Sequence, residues 1–329
     1  MPKIEDVAKH AGVSVTTVSR VLNDRGYISQ KTRDNVHRAM KELNYQPNEM
    51  ARALFRRKSN MIGLIVPDVS HPFFSELTYH LEYVADQYGY KLMLCNSNRD
   101  VAKEKQYIDM LKKNQADGII MGSSVLEIDH YLNLELPIVS LDRQLSKDIP
   151  VVTSDNVLGG QLAAQHLLDK GCRHPAYVYR GLGGPHHEAM LASGRVQGYG
   201  AVLTAADVQS LHVQLTVTEP QEQIVNGELV QFLQEHPEVD GIFASSDVIA
   251  AEVIQACYQC GKSVPDDLCV IGYDDVKMAS LITPRLSTIR QPIREMATHM
   301  IELLVQHIAG EIVPHETMLP VYLIERETT

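Results

Sequence analysis

The most constraining feature of this chain is an alternation that begins at Asn60. Short apolar runs, "MIGLIVPD", "YKLMLCNS", "ADGIIMGS", "PIVSLD" and "VVTSD", alternate with "PFFSELTYHLEYVADQYG", "KEKQYIDMLKKNQ" and "VLGGQLAAQHLLDKG". The longer stretches carry apolar residues at helical spacing. A second series, "HPAYVYRG", "GIFASSD" and "LCVIGYDD", follows with helical stretches between. Strands separated by helices predict parallel sheets covered on both faces, an α/β fold. Two series predict two doubly wound lobes, with the crossover near Asp155 to Gly160. Ligands in such folds sit beyond the carboxyl ends of the strands. The positions to read are therefore Asp68 to Phe74, Asn96, Gly122, Asp142-Arg143, Ser246-Asp247 and Tyr273-Asp274.

The first sixty residues lack this pattern and differ in charge. They hold twelve Lys and Arg against six Asp and Glu, a net of +6, within a chain of net charge −11. The remainder therefore carries −17. A basic head on an acidic body points to a polyanion as the partner of the head alone.

In the head, "KIEDVAKHAGVSVTTVSRVLN" places Ile4, Val7, Ala8 and Ala11 on one face and Val13, Val18, Val21 and Leu22 on another. Gly12 suits a turn that ends the first helix. Ser14 then caps a second helix by accepting from the free amide of Thr16 or Thr17. Two short helices joined by a Gly-containing turn make a helix-turn-helix unit, whose second helix lies in the major groove. Val15, Thr16 and Arg20 face outward in this reading. Val touches a thymine methyl, Thr hydrogen-bonds either way and Arg pairs bidentately with guanine. Thr17 and Ser19 are better placed for phosphates. A third helix runs from about Ser29 to Leu43, with Ser29 and Gln30 as caps and Val36, Met40 and Leu43 on one face.

"NYQPNEMARALFRRKSNMIGL" follows as a linker. Pro47 breaks the preceding helix and Asn48 caps a new one. A helix as short as "EMARALF" is marginal alone, so the segment reads as a linker that a partner can order. The expected organisation is a head at 1–47, a hinge helix at 48–59 and a core at 60–329. The core divides into lobes of about 60–157 with 290–320, and 158–289 with 321–329.

"IEDVAKHAGVSVTTVSRVLN", "ISQKTRDNVHRAMKELNYQPN" and "MARAL" resemble the DNA-binding head and hinge of the lactose/galactose repressor (LacI/GalR) family. The likeness extends along essentially the whole chain and is nearest the sucrose- and ribose-operon type. It implies that paired hinge helices fold in the minor groove of a pseudopalindromic double-stranded operator. Leu54 would wedge into the central base step, with Asn48, Ala51 and Ala53 on the same helix and Arg52 and Arg56 near phosphates. The expected DNA-contacting set is Ser14, Val15, Thr16, Thr17, Ser19, Arg20, Asn23, Tyr45, Asn48, Ala51, Arg52 and Leu54.

The strand ends of the body are polar and hold aromatic rings, as a sugar site needs. "HPFF", "SLDRQ", "TSDNVLGG", "GRVQGY", "SSD" and "IGYDD" resemble periplasmic sugar-binding proteins, especially the ribose-binding branch. The resemblance implies that Phe73 and Phe74 stack on a sugar and that Asp142, Arg143, Arg195 and Asp274 bond its hydroxyls. Ser246 stands where a binder often has Asn, His71 replaces an amide-type residue, and Gln291 of "STIRQP" sits at a late hinge strand near the pocket. No second stacking aromatic is evident between Leu211 and Val217.

The function this implies is a cytoplasmic, homodimeric transcriptional repressor, its DNA affinity set by a small sugar or sugar phosphate. Sucrose, fructose and ribose, free or phosphorylated, are the candidates. The alternative is a global carbon-catabolite regulator with a phosphocarrier protein as corepressor. No apolar run approaches the ~20 residues of a membrane helix, and "MPKIEDVAKH" has no secretory pattern. Five scattered cysteines fit a reducing compartment. "GLGGPHH" lacks the spacing of a dinucleotide fingerprint, and "CYQC" has no second pair to complete a metal site. The tail "VYLIERETT" carries no leucine heptad for tetramerisation. No nucleophile–base pair, cofactor motif or metal set is found, so neither catalysis nor a cofactor is expected.

Overall fold

The computed structural model describes residues 2–23, 25–46, 59–122, 131, 134, 136–180, 188–216 and 227–329, with the backbone alone at 188–193. The hinge residues Asn48, Ala51, Arg52 and Leu54, and the "GLGGPHH" loop, lie outside these. The chain divides into two units, Met1–Ser59 and Asn60–Thr329.

The first unit is three helices: α1 (Ile4–Ala11), α2 (Val15–Leu22) and α3 (Gln30–Glu42). Gly12 ends α1 at φ 68°, the left-handed conformation that a residue without Cβ adopts freely. Ser14 Oγ accepts from the Thr17 amide at 3.1 Å, and Ser29 accepts from Thr32 at 3.3 Å. Val7, Ala8, Val18, Val21, Val36 and Ala39 form a small shared core.

The second unit contains two six-stranded sheets. The first is built from β1 (Met61–Val66), β2 (Lys91–Asn96), β3 (Gly118–Met121), β4 (Ile138–Leu141), β5 (Val151–Ser154) and β11 (Glu316–Leu319). Their order is β11-β5-β4-β3-β1-β2, all parallel. The second is built from β6 (Pro175–Arg180), β7 (Leu211–Leu215), β8 (Gly241–Ala244), β9 (Cys269–Asp274), β10 (Ser287–Arg290) and β12 (Tyr322–Ile324). Its order is β12-β10-β9-β8-β6-β7, with only β12 antiparallel. Central strands are buried on both faces, as parallel sheets require. The sequence reading did not name β7, β11 or β12. All three are edge strands with exposed positions, so their composition lacks the continuous apolar run that marks a central strand.

The helices between these strands are α4 (Pro72–Gln87), α5 (Val101–Lys113), α6 (Asn156–Asp169), α7 (Glu188–Ala205), α8 (Gly227–Glu235), α9 (Asp247–Gln259) and α10 (Ile293–Ile308). The chain crosses from the first sheet to the second through α6. It returns after β10: α10 packs Met296, Ala297, Met300, Ile301 and Leu304 into the first core. A third crossing leads from β11 to β12.

Helices α6 and α7 touch at backbone distance. A Cβ on Gly160 would lie 2.0 Å from the Arg195 carbonyl oxygen, and one on Gly198 would lie 1.9 Å from that of Val157. Only glycine permits this approach, and it sets where Arg195 stands relative to the start of α6. Gly198→Ala is therefore expected to destabilise the protein by about 1–3 kcal/mol, the usual cost of overpacking. Denaturant melts of both proteins measure this; an unchanged midpoint would mean that the helices yield freely.

Candidate functional site

In the head, α2 exposes Val15, Thr16 and Arg20 while Val18 and Val21 are buried. The outward face thus carries a methyl pair, a hydroxyl and a guanidinium within two helical turns. Ser14 and Thr17 hydroxyls lie 2.9 Å apart at the helix start. Ser19 is half-buried, and its carbonyl accepts from the Asn23 side chain at 2.8 Å, so Asn23 closes the helix. Tyr45 packs against the head's core.

In the second unit, the carboxyl ends of β1, β3, β4, β6, β8 and β9 open on one cavity of about 1040 Å³, its open mouth included. Phe73, Phe74, Asp142, Arg195, Ser246, Asp274 and Gln291 all line it; Arg143 is not among the lining residues. The Phe73 and Phe74 rings meet edge to face at 5.2 Å, and Phe73 also belongs to the first core. Ser246 caps α9, its hydroxyl accepting from the Ile249 amide at 3.3 Å.

The centre of the cavity is the buried Arg195 guanidinium. Its Nε donates to Asn156 Oδ1 at 2.8 Å and its Nη1 to the Ser245 carbonyl at 2.6 Å. The guanidinium carbon lies 3.5 Å from the centroid of the Tyr273 ring. The Tyr273 hydroxyl donates to the same Asn156 oxygen at 3.3 Å. Gly159 makes room for this: a Cβ there would lie 2.6 Å from the Tyr273 hydroxyl.

Acids surround this cation. Asp142, at φ 58°, accepts from the Thr153 hydroxyl at 2.8 Å. Asp274 accepts from Gln291 Nε2 at 2.7 Å, and Gln291 Oε1 accepts from Ser154 Oγ at 2.7 Å. Gln291 thereby joins an end of the first sheet to an end of the second. Behind Asp274, the fully buried Asp247 accepts from Thr288 Oγ1 at 2.5 Å and from the Val276 amide at 2.8 Å. Burial pushes the Asp274 carboxyl up to about 7, with Asp142 and Glu76 adding repulsion against the pull of Arg195 and Gln291. Burial likewise raises Asp247, reinforced by Asp274.

Sequence reasoning missed several lining residues: Arg99, Tyr177, Tyr179 and Arg180. The last three end strand β6, and the strand-end rule applied to "HPAYVYRG" finds them. Tyr177 and Tyr179 are stacked at 5.5 Å, so the aromatic surface not found in "LHVQLT" comes from the adjacent strand. Arg180 pairs with Glu252 at 2.6 Å. His71 also lines the cavity, and its buried Nδ1 has no hydrogen-bond partner. Burial, with the charges of Arg99, Arg180 and Arg195, pushes this imidazole down to about 4 against the pull of Asp68. It is neutral at physiological pH. Among the described residues no group of three or more His, Cys, Asp or Glu could hold a metal ion, and no helix is long and apolar enough to cross a membrane.

The raised carboxyls make stability depend on pH with a definite sign. The folded chain holds protons that the unfolded chain has already lost, so stability falls as pH rises from the ordinary carboxylate range to about 7. Asp274→Asn removes one such group while keeping the shape and the acceptor for Gln291. Its melting temperature should match the parent near pH 4, and its advantage should grow up to about pH 7. Calorimetry across this range tests it; a pH-independent difference would place the cost elsewhere.

Comparison with known proteins matches both units. Residues 3–48 match the model of bacterial regulatory proteins, lacI family, and residues 164–329 that of a periplasmic binding protein-like domain. The ribose operon repressor of Halalkalibacterium halodurans is 42% identical over 332 residues, covering 100% of this chain and 97% of the relative. The lac repressor dimer bound to operator and the anti-inducer ONPF superposes with a TM-score of 0.83 at 26% identity, covering 99% of this chain and 98% of that one. A LacI family regulator from Enterococcus faecium with bound ribose superposes with a TM-score of 0.71 at 28% identity, covering 82% of this chain and 98% of that one. With a helix-turn-helix head, a two-sheet core and full-length identity of this order, the chain belongs to the lacI family of bacterial regulatory proteins.

Proposed function

We propose that this protein is a sequence-specific, DNA-binding transcriptional repressor of a sugar-utilisation operon, controlled by a small sugar in the cavity of its core. The observation that carries the reading is the cavity itself. A buried guanidinium, two carboxylates and an amide converge with phenyl and phenol rings on one space. Carboxylates and guanidinium groups bond vicinal hydroxyls, while rings cover the C–H faces of a sugar. A catalytic site would also need a nucleophile or an acid–base pair poised on a reacting atom, and the family relatives are repressors rather than enzymes.

The head supplies the other half. Its basic side chains give salt-dependent phosphate affinity, and Val15, Thr16 and Arg20 read base edges. The protein acts in the cytoplasm as a homodimer, since a pseudopalindromic operator needs two heads. Residues 1–47 form the head, 48–59 the hinge that orders on DNA, and 60–329 the core. Sugar binding favours a core state that separates the hinges and releases the operator. It shifts a pre-existing equilibrium by its preference for that state.

Ribose is the leading effector, because both the most similar repressor cited above and the sugar-bound family structure carry its name. Arg99 and the Glu252-paired Arg180 lie on the cavity wall, so phosphorylated sugars belong in the same titration.

Fluorescence anisotropy on a labelled pseudopalindromic duplex tests this reading. Ribose, fructose, sucrose or one of their phosphates should release the bound protein. Arg20→Ala should weaken specific binding about 10- to 100-fold, the worth of one bidentate base contact, and leave nonspecific affinity nearly unchanged. Arg195→Ala should keep operator affinity and lose sugar release. Tight DNA binding that no sugar alters would instead favour a protein corepressor.

A further inference from the structure

Two of the five cysteines meet at the far end of the second sheet from the cavity. Cys172 precedes β6 and is 5% exposed; Cys269 opens β9 and is half-buried. Both converge on the Asp240 carbonyl, which accepts from the Cys269 amide at 2.9 Å and from the Cys172 thiol at 3.5 Å. Gly241 pairs with Cys269 in the β8–β9 register, and a Cβ on Gly241 would lie 2.8 Å from Cys172 Sγ. The Cys172 sulfur thus sits over the strand next to Cys269, whose own thiol donates to the Pro265 carbonyl at 3.9 Å.

We propose that Cys172 and Cys269 form a reversible oxidation site for small peroxides, closing to a disulfide that staples the start of β9 to the turn before β6. This disulfide goes beyond the repressor reading and does not depend on it.

The half-buried partner is the reactive one. The neighbouring Cys172 thiol, with Lys170 nearby, holds the Cys269 thiol below its ordinary value against burial and Asp240. Burial pushes Cys257 up to about 12 and Cys95 up to about 11, so those thiols stay protonated and unreactive. The Cys269 thiolate attacks one peroxide oxygen. The S–O bond forms, the O–O bond breaks, and the leaving hydroxide takes a proton to become water. The Cys172 sulfur then attacks the Cys269 sulfenic acid. The S–S bond forms, the S–O bond breaks, and the departing hydroxide takes the Cys172 proton as a second water. Peroxide is the oxidant, and a dithiol reductant reverses the bond by exchange. Cys172 is well placed to resolve the sulfenic acid because it needs no approach from solvent.

The test uses the full chain and hydrogen peroxide at near-stoichiometric dose, followed by alkylation and non-reducing peptide mapping. The expected product is a Cys172–Cys269 cross-linked peptide, two hydrogens lighter than the separate peptides and lost on treatment with dithiothreitol. In Cys172→Ala the same dose should leave Cys269 as the sulfenic acid, trapped as its dimedone adduct, since no resolving thiol is present. The proposal is overturned if both peptides of the wild-type protein stay reduced, or if the cross-link joins Cys257 to Cys260 instead.

Discussion

The buried Arg195 guanidinium is the interaction around which the core is arranged. A charge removed from water is tolerated only if its hydrogen bonds are made and opposite charge lies nearby. Here the Asn156 side chain and the Ser245 carbonyl meet two of its donors, the Tyr273 ring lies against its face, and Asp142 and Asp274 supply negative charge. The five partners come from four elements: the start of α6, the end of β8, strand β9, which supplies both Tyr273 and Asp274, and the end of β4. The glycines at 159, 160 and 198 follow from the same requirement. They let α6 approach Tyr273 and let α7 approach α6, so that one cation reaches partners from both sheets.

The acids that compensate Arg195 are themselves under strain. Burial raises the Asp274 carboxyl, with repulsion from Asp142 added, and burial and Asp274 together raise Asp247. A fold selected for stability alone would place amides there. Carboxylates beside a guanidinium instead offer strong acceptors to hydroxyl groups, at the expense of stability near neutral pH. A ligand hydroxyl that donates to these oxygens relieves part of the cost, so binding energy is available to change the state of the core.

Much of this was legible in the sequence, for identifiable reasons. The central strands read directly because parallel strands buried on both faces are continuous apolar runs. The head read equally well, since Gly12, Ser14 and the Val18–Val21 spacing each serve one structural purpose. Asp142 and Asp274 were found by position at strand ends, and Gln291 through the resemblance to sugar-binding proteins. Arg143 was expected beside Asp142, but adjacent residues at a strand end point different ways, and the left-handed Asp142 turns only its own carboxylate toward the cavity. Arg99 was hidden because it lies beyond the end of β2 in "NSNRD", a stretch whose composition reads as an ordinary turn. The proximity of Cys172 and Cys269 could not be read at all, because they lie 97 positions apart and only the strand order brings them together.

The connectivity also places a bridge between the two sheets. The chain passes between the sheets at α6, after β10 and between β11 and β12, and Gln291 stands at the second of these passages. Its amide oxygen accepts from Ser154 of the first sheet and its amide nitrogen donates to Asp274 of the second. One short side chain can satisfy both only while those strand ends stay within its span. In the proposed sugar complex, a hydroxyl donating to Asp274 competes with the Gln291 nitrogen for the same carboxylate. Losing that bond leaves a buried amide unpaired, which costs about 1–3 kcal/mol unless the ligand or a shift of the strand ends restores a partner. That amount is comparable to a typical coupling energy between two sites. The bridge therefore joins the two sheets at the place where the proposed sugar would act, which is where a population shift of the core would be set.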